Sequence, residues 1–346
     1  MTHPLYADYH MQSPTVLVTG GTGFIGAHTA RVLVDDGHDV VVTDIDMDTR
    51  RLEKLGIRDE VETVRLDLTD ATGVVRTIRE TGATHVIHLG AVTSLIARRE
   101  PRRAIDVNIT GTNNILEAAR TFCDQVERVV WSSTMAVYAP AAAYDQHPVT
   151  ETDLVYPESI YGATKEFGEH QLRLYGDAFD VSTVGLRPTG VYGPFNSPDY
   201  LASEDGEPGR NRSPSGRLAG LFSRAAQEQS VSMTLQEGRT DWIYVEDVAR
   251  LFVAAAFAPT SDLTRSIYNA ASGEVASIAE ILSHLRDLVP AADIDVTFEG
   301  ESAYVSEIDG TAARRDLGVT PDYDLRSGIE TYLNSIREDQ GLPPLS

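Results

Sequence analysis

The sequence predicts an α/β fold: a doubly wound parallel sheet followed by a smaller C-terminal α/β lobe. Short β-rich runs alternate with helical stretches through the first half, the pattern of parallel strands joined by crossover helices. A glycine-rich segment, TGGTGFIG, links the first run to the first helix. The alternation then loosens after Pro188. At 346 residues the chain exceeds the size at which one core keeps growing. Two lobes, or one large α/β unit with a cap, are both compatible with that length.

The elements follow in order. TVLVT (Thr15–Thr19) is a strand, and a helical pattern runs on to Gly37. DVVVTD (Asp39–Asp44) and VETVRLD (Val61–Asp67) are the second and third strands, and Thr69 or Asp70 can cap a helix reaching about Glu80. ATHVIHLGA (Ala83–Ala91) is the fourth strand, with helical signals over about Ala104 to Phe122. VERVVWSST (Val126–Thr134) is the fifth, Ser159 to about Tyr175 has helical spacing, and VSTVGLR (Val181–Arg187) is the sixth. Residues 196–217 are polar and rich in Pro, Gly and Ser, which predicts a flexible insertion placed like a lid. Helices are expected near 217–229, 246–258, 277–288 and 325–338, with short strands near 231–235, 266–270 and 293–298. Ligands are expected at the carboxyl ends of the first six strands, where open α/β sheets bind them.

Composition narrows the function. No run of about 18 apolar residues occurs, so no spanning helix is expected. MTHPLYADYHMQSP lacks a basic n-region and an apolar h-region, so residues 1–14 read as a loose tail and not a signal peptide. The single Cys123 excludes an internal disulfide, suggests a reducing cytoplasm, and reads as a small buried hydrophobe. The net charge of −23 should repel nucleic acid and anionic membranes. Acid excess spread along a chain with two lysines, Lys54 and Lys165, suggests a salt-loving host. At about 1 M salt the Debye length is roughly 3 Å, so self-repulsion is screened. A phosphate-bearing ligand then needs local positive groups or helix N-termini.

TGGTGFIG supplies such a site. Gly20, Gly23 and Gly26 stand three apart, as a tight turn and close backbone approach to a pyrophosphate require. A strand before, a helix after, and an acid at the end of the next strand strengthen the reading. That acid, Asp44, should accept from adenosine ribose hydroxyls, which favours NAD over NADP; Arg50 and Arg51 nearby point the other way. Asp67 could receive the adenine amino group or cap the next segment. HLGA (His88–Ala91) offers small residues for a backbone lying against the cofactor. His85 and His88 point to opposite faces of a strand, and no metal site is expected.

YGATK (Tyr161–Lys165) raises a sharper point, because a chain that otherwise avoids lysine keeps one here. On a helix, positions i and i+4 are neighbours. Bringing a phenol from a pKa near 10 to about 7 costs about 4 kcal/mol. One close cation supplies roughly 1–3 units, so lysine is marginal alone and sufficient with the positive nicotinamide ring of NAD⁺. A compact ammonium can also bind the nicotinamide ribose, which a planar guanidinium does poorly. Thr134 ends the fifth strand and can bond the substrate oxygen that Tyr161 deprotonates, with Ser132 and Ser133 competing for that role.

TGGTGFIG, Asp44, HLGA, VNITGTNNILEAA, SST and YGATK occur in order. Together they resemble the extended short-chain dehydrogenase/reductase superfamily, in its NAD-dependent epimerase/dehydratase branch, from about Thr15 to Tyr332. The resemblance implies a Rossmann-type NAD lobe over 15–187, with 241–265 returning to it, and a substrate lobe over 188–240 and 266–346. It implies Thr134, Tyr161 and Lys165 as catalytic residues. The cofactor set is Gly20, Gly23, Phe24, Ile25, Gly26, Asp44, Asp67, Leu68, Leu89, Gly90, Ala91, Asn108, Ser132, Tyr161, Lys165 and Pro188. Asn108 falls in the family's N-x-x-G-T run, at a structural or cofactor-side position. Thr93, Thr134 and Arg239 are the substrate set. A homodimer pairing the helices near 104–122 and 159–175 is also implied. Two departures lie on the substrate side: Thr240 stands where nucleotide-sugar members usually carry arginine, and Gly190 where they often carry asparagine. The leading expectation is an NAD-dependent sugar or nucleotide-sugar epimerase of the 4-epimerase kind. The rivals are an NAD-dependent dehydrogenase of a free sugar or sugar acid and a non-enzymatic dinucleotide sensor. Met135 after Thr134 disfavours a dehydratase, which typically places an acid there.

Overall fold

The computed structural model describes residues 13–145, 148–196, 214–301 and 305–345. Residues 1–12 of the expected tail and 197–213 of the expected insertion lie outside them, and 214–217 of that insertion open a helix instead of a loop.

The strands are β1 (Thr15–Thr19), β2 (Asp39–Asp44), β3 (Glu62–Arg65), β4 (His85–His88), β5 (Arg128–Ser132), β6 (Thr183–Pro188) and β7 (Gly190–Tyr192). They continue with β8 (Val231–Glu237), β9 (Arg239–Tyr244), β10 (Ile267–Ala270), β11 (Val275–Ser277) and β12 (Ile294–Glu301). The helices of the first half are α1 (Phe24–Asp35), α2 (Arg50–Lys54), α3 (Ala71–Thr81), α4 (Ser94–Arg99), α5 (Pro101–Ile105), α6 (Thr112–Thr121) and α7 (Ile160–Phe179). Those of the second half are α8 (Pro214–Ala226), α9 (Val245–Phe257), α10 (Ile278–Leu288), α11 (Thr311–Leu317) and α12 (Leu325–Asp339).

Seven strands form one parallel sheet in the order β10-β6-β5-β4-β1-β2-β3. Val16, Leu17 and Val18 are all buried, as a strand covered on both faces requires. One face packs on α1, α9 and α11 through Ala27, Ala30, Leu33, Val248, Phe252 and Ala313. The other packs on α3, α6 and α7 through Val74, Ile78, Ile115, Leu116 and Leu172. Strand order reverses between β1 and β4, which opens a crevice at their carboxyl ends. The smaller lobe has its own core, with Leu221, Phe222, Tyr244, Ile281, Leu285 and Leu333 around β8, β9 and β12.

Three expectations need correction. Residues 267–270, expected in the smaller lobe, form β10 and pair in parallel with Gly185–Pro188 of β6. Placed there, β10 covers an edge that β6 would otherwise expose. The helix expected over about 104–122 is interrupted: α5 and α6 flank a π-helical turn at Asp106–Gly111. Cys123 is exposed, not buried, because it follows the last turn of α6, beyond that helix's apolar face.

Candidate active site

The crevice is lined by backbone. Gly20 has φ +66°, a left-handed conformation that favours glycine, and a Cβ on it would sit 2.7 Å from the Cα of Gly90. A Cβ on Gly26 would lie 2.2 Å from the Gly20 carbonyl oxygen. The first turn of α1 is therefore pressed onto the glycine turn. No side chain caps α1 and its first turn holds no acid, so its leading N–H groups are available to an anion. Beside it is a cavity of about 620 Å³ whose lining includes Gly20, Asp44, Asp67, Leu68, Gly90 and Ala91. These features fit a dinucleotide. Phe24 and Ile25 open α1, and the Leu89 N–H donates to the Thr19 carbonyl at 3.1 Å.

Asp44 accepts from Thr22 Oγ1 at 2.8 Å on one oxygen and from the Ile45 N–H at 2.8 Å on the other. A carboxylate has about four acceptor sites, so it retains capacity for ribose hydroxyls. Burial raises its pKa, and the Thr22 bond counters that. The arginines that weakened the preference for NAD are both engaged. Arg50 chelates Asp48, and Arg51 donates to the carbonyls of Phe195 and Thr22. Asp67 accepts from the N–H and hydroxyl of Thr69, closing a local turn at the cavity wall.

His85 and His88 do face opposite sides of the sheet: the His85 ring packs at a tilt against Phe257 of α9, and His88 is buried toward α6. A directed hydrogen-bond chain passes through His88. The Gly90 N–H donates to Thr19 Oγ1 at 3.2 Å, and Thr19 Oγ1 lies 2.6 Å from His88 Nδ1. His88 Nε2 lies 3.1 Å from Thr112 Oγ1, whose own proton goes to the Asn108 carbonyl at 2.7 Å. This assigns the neutral tautomer with its proton on Nε2. Burial, reinforced by the charge of Lys165, lowers the pKa of His88 to about 3.

Asn108 is a clamp. Its carbonyl oxygen accepts from the Val92 N–H at 2.7 Å, and its amide donates to the Val92 carbonyl and to Thr164 Oγ1, both at 3.0 Å. Those bonds use both amide protons and one acceptor site, which gives Asn108 a structural role and leaves its oxygen one further acceptor site.

The catalytic candidates meet where β5 runs into α7. A Cβ on Gly162 would lie 2.4 Å from the Ala136 carbonyl, so the start of α7 rests on the turn that follows Thr134. A Cβ on Gly168 would lie 2.4 Å from the Trp131 ring. With glycine at both positions, α7 lies close to β5 on either side of Lys165. Lys165 is buried; its Nζ donates to the Ser132 carbonyl at 2.7 Å and lies 4.6 Å from the Trp131 ring centre. Nζ is also 5.9 Å from the centre of the Tyr161 ring, which itself packs against the Val92, Ala97 and Ala104 cluster. Burial lowers the pKa of Lys165 to about 7, with Glu169 opposing the fall. Thr134 Oγ1 accepts from the Ala136 N–H at 3.2 Å, which leaves its proton free to donate to a substrate oxygen. Of the two competing hydroxyls, Ser133 donates to Glu169 at 2.5 Å and Ser132 to the Ser133 carbonyl at 3.1 Å. Pro188 is buried at the end of β6, opposite Ala270.

One substrate assignment is not brought to this point. Arg239 is exposed, donating to Glu280 at 3.1 Å and to the Val275 carbonyl at 2.9 Å. Side chains alternate along β9, so its neighbour Thr240 faces the other way and lies 3.8 Å from the Met135 sulfur. Arg239 is therefore withdrawn as a substrate ligand. Thr93 is an exposed residue at the start of α4. Sequence reasoning missed Glu169 and Arg187, a buried pair joined at 2.6 and 2.7 Å. Their signal was the i+4 spacing of Glu169 from Lys165.

A glycine turn at the switch point, an acid on β2 and a half-buried Tyr161 beside a buried Lys165 on α7 define a dinucleotide-dependent enzyme acting at a hydroxyl-bearing carbon. The NAD dependent epimerase/dehydratase family model matches residues 16–271. The UDP-glucose 4-epimerase of Mycolicibacterium smegmatis is 31% identical over 338 residues, covering 93% of this chain and 98% of that protein. The crystal structure of Thermus thermophilus UDP-glucose 4-epimerase in complex with NAD is 28% identical, with a TM-score of 0.78 over 93% of this chain and 99% of that one. L-threonine 3-dehydrogenase from Trypanosoma brucei, at 24% identity and a TM-score of 0.81 over 96% of this chain and 99% of that one, shares the fold. The chain belongs to the NAD-dependent epimerase/dehydratase family, and NAD is its cofactor.

Proposed function

We propose that the protein is a nucleotide-sugar 4-epimerase in which Tyr161 is the acid–base, Lys165 its cationic partner and Thr134 a donor to the reacting oxygen. The observation that carries the chemistry is Lys165, buried against the Ser132 carbonyl and the Trp131 ring within reach of Tyr161. Full-length kinship to a UDP-glucose 4-epimerase supports the substrate class. The glycine turn and α1 would hold the pyrophosphate, Asp44 the adenosine ribose, and Lys165 the nicotinamide ribose. Bound NAD supplies the acceptor and donor of hydride. Tyr161 takes the proton of the substrate hydroxyl while Thr134 donates to the same oxygen. Tyr161 later returns that proton, so the side chains end unchanged, as a reaction without net redox requires.

A dehydrogenase of a free sugar is the second reading, favoured by one observation. Among the described residues, β9 turns Thr240, not an arginine, toward the Thr134 turn. To separate the two, the purified protein is denatured in its preferred salt and the supernatant assayed for NAD(H). Intact protein is then tested for interconversion of UDP-glucose and UDP-galactose. Stoichiometric cofactor with interconversion is expected, and Tyr161→Phe should lose nearly all turnover while keeping its cofactor. Empty protein that reduces added NAD⁺ with a free sugar would overturn the reading.

The same proposal includes a cytoplasmic, salt-adapted homodimer. Among the described residues no helix is long and apolar enough to cross a membrane. Ile160, Phe167 and Leu174 are spaced by seven along α7 and are all exposed, with Ile105 of α5 exposed as well. A stripe at that spacing suits a second copy of the same helix.

A further inference from the structure

Three consecutive residues at the end of β5 have separate tasks. The Ser132 carbonyl holds Lys165, the Ser133 hydroxyl holds Glu169, and the Thr134 hydroxyl retains a free proton. Lys165 and Glu169 are one turn apart on the inward face of α7, and both are buried. Glu169 accepts 2.7 and 2.6 Å bonds from Arg187 of β6, one on each oxygen. Arg187 continues to Tyr138 Oη at 2.8 Å, which donates to Asn269 of β10 at 2.6 Å. Glu169 therefore joins α7 to β5 and β6, immediately behind the catalytic lysine.

We propose that Glu169, tied to Ser133 and Arg187, is a positioning residue that seats α7 on β5 and keeps Lys165 held there in its charged form. This rests on the reading of Lys165 as the partner of Tyr161. A buried ammonium with a carbonyl and an indole face for neighbours tends to lose its proton, and a carboxylate one turn away opposes that. The groups acting on Nζ are Tyr161 and Glu169 from α7, the Ser132 carbonyl and Trp131 from β5, and His88 from β4. His88 is neutral and adds no charge. Arg187, on β6, is tied to Glu169, fixes where that carboxylate stands, and with its own charge offsets part of the carboxylate's pull on Nζ.

The sequence offers a direct test. The chain has two lysines, Lys54 and Lys165, so protein labelled with ¹³Cε-lysine gives two resonances. Lys54 pairs with Asp339 at the surface and serves as the internal control. The Lys165 resonance is expected to titrate near neutrality in the wild type and at least about one pH unit lower in Glu169→Gln. Because that variant leaves Arg187 unpaired, the double variant Glu169→Gln/Arg187→Met is titrated alongside it. A purely structural Glu169 predicts that the double variant restores the wild-type Lys165 midpoint, and that result would overturn the proposal. A Lys165 midpoint that stays low in a folded double variant supports it. A wild-type Lys165 midpoint well below pH 7, or failure of both variants to fold, would also overturn the proposal. None of these readouts requires turnover, so loss of the epimerase reading would leave them intact.

Discussion

Replacing Gly26 with alanine tests whether the glycine turn and α1 form a phosphate cradle. The added Cβ would stand 2.2 Å from the Gly20 carbonyl oxygen and 2.7 Å from the Gly21 Cα, where ordinary contact begins at 3.4 Å. Backbone is on the receiving side, so α1 must retreat by roughly 1 Å or the turn must deform. Overpacking of this kind costs about 1–3 kcal/mol of stability. The retreat also carries the leading N–H groups of α1 away from the pyrophosphate. Losing one hydrogen bond to a charged group is worth about 1.5–3 kcal/mol, or roughly ten- to a hundredfold in affinity. Cofactor-stripped protein is titrated with NAD by calorimetry, and stability is read from urea midpoints. Gly37→Ala is the control: Gly37 has φ +80° with nothing within 4 Å of a Cβ, so strain should lower stability by about 1–2 kcal/mol and leave NAD affinity unchanged. Equal NAD affinity in Gly26→Ala and wild type would refute the cradle.

Acid stability and assembly give further tests. Burial lowers His28 to about 4 and His88 to about 3, both below the unfolded value of 6.5. The unfolded chain then binds more protons between those values, so this contribution is complete above pH 6.5 and is lost as pH falls toward 3. Urea midpoints of His28→Gln/His88→Gln should fall less steeply than wild type from about pH 6.5 to about pH 4.5; parallel lines would refute the linkage. Phe167→Glu puts a charge in the apolar stripe of α7, and sedimentation should report half the wild-type mass. An unchanged mass would place any dimer contact elsewhere.

The first six strands were legible because each is a short apolar run bounded by turn residues, and a parallel sheet buries both faces. Their ends were read too long: Ala83–Ala91 shrinks to His85–His88, since Gly90 and Ala91 turn aside to line the cavity and Thr84 and Leu89 keep only single backbone bonds to β1. The place of β10 was not legible. Ile267–Ala270 is an apolar run like any other, and only the open edge of β6 determines where it pairs. The placing of Tyr161 beside Lys165 on α7 was legible because helical spacing is local. Arg239 was misread because its role depends on which face of β9 turns inward, and Thr240 holds that face. Glu169 escaped because its meaning arises from Arg187 and Ser133, neighbours that only the fold supplies.

The outer strand of the nucleotide sheet comes from beyond the smaller lobe's first segments. A ribosome must therefore deliver the chain past Ala270 before that sheet can be completed. A fragment ending at Pro188 would carry every residue proposed to hold the cofactor and still present a raw, adhesive flank. The two halves are woven as one unit of assembly, and excising the dinucleotide-binding part would yield a sticky intermediate instead of a minimal enzyme.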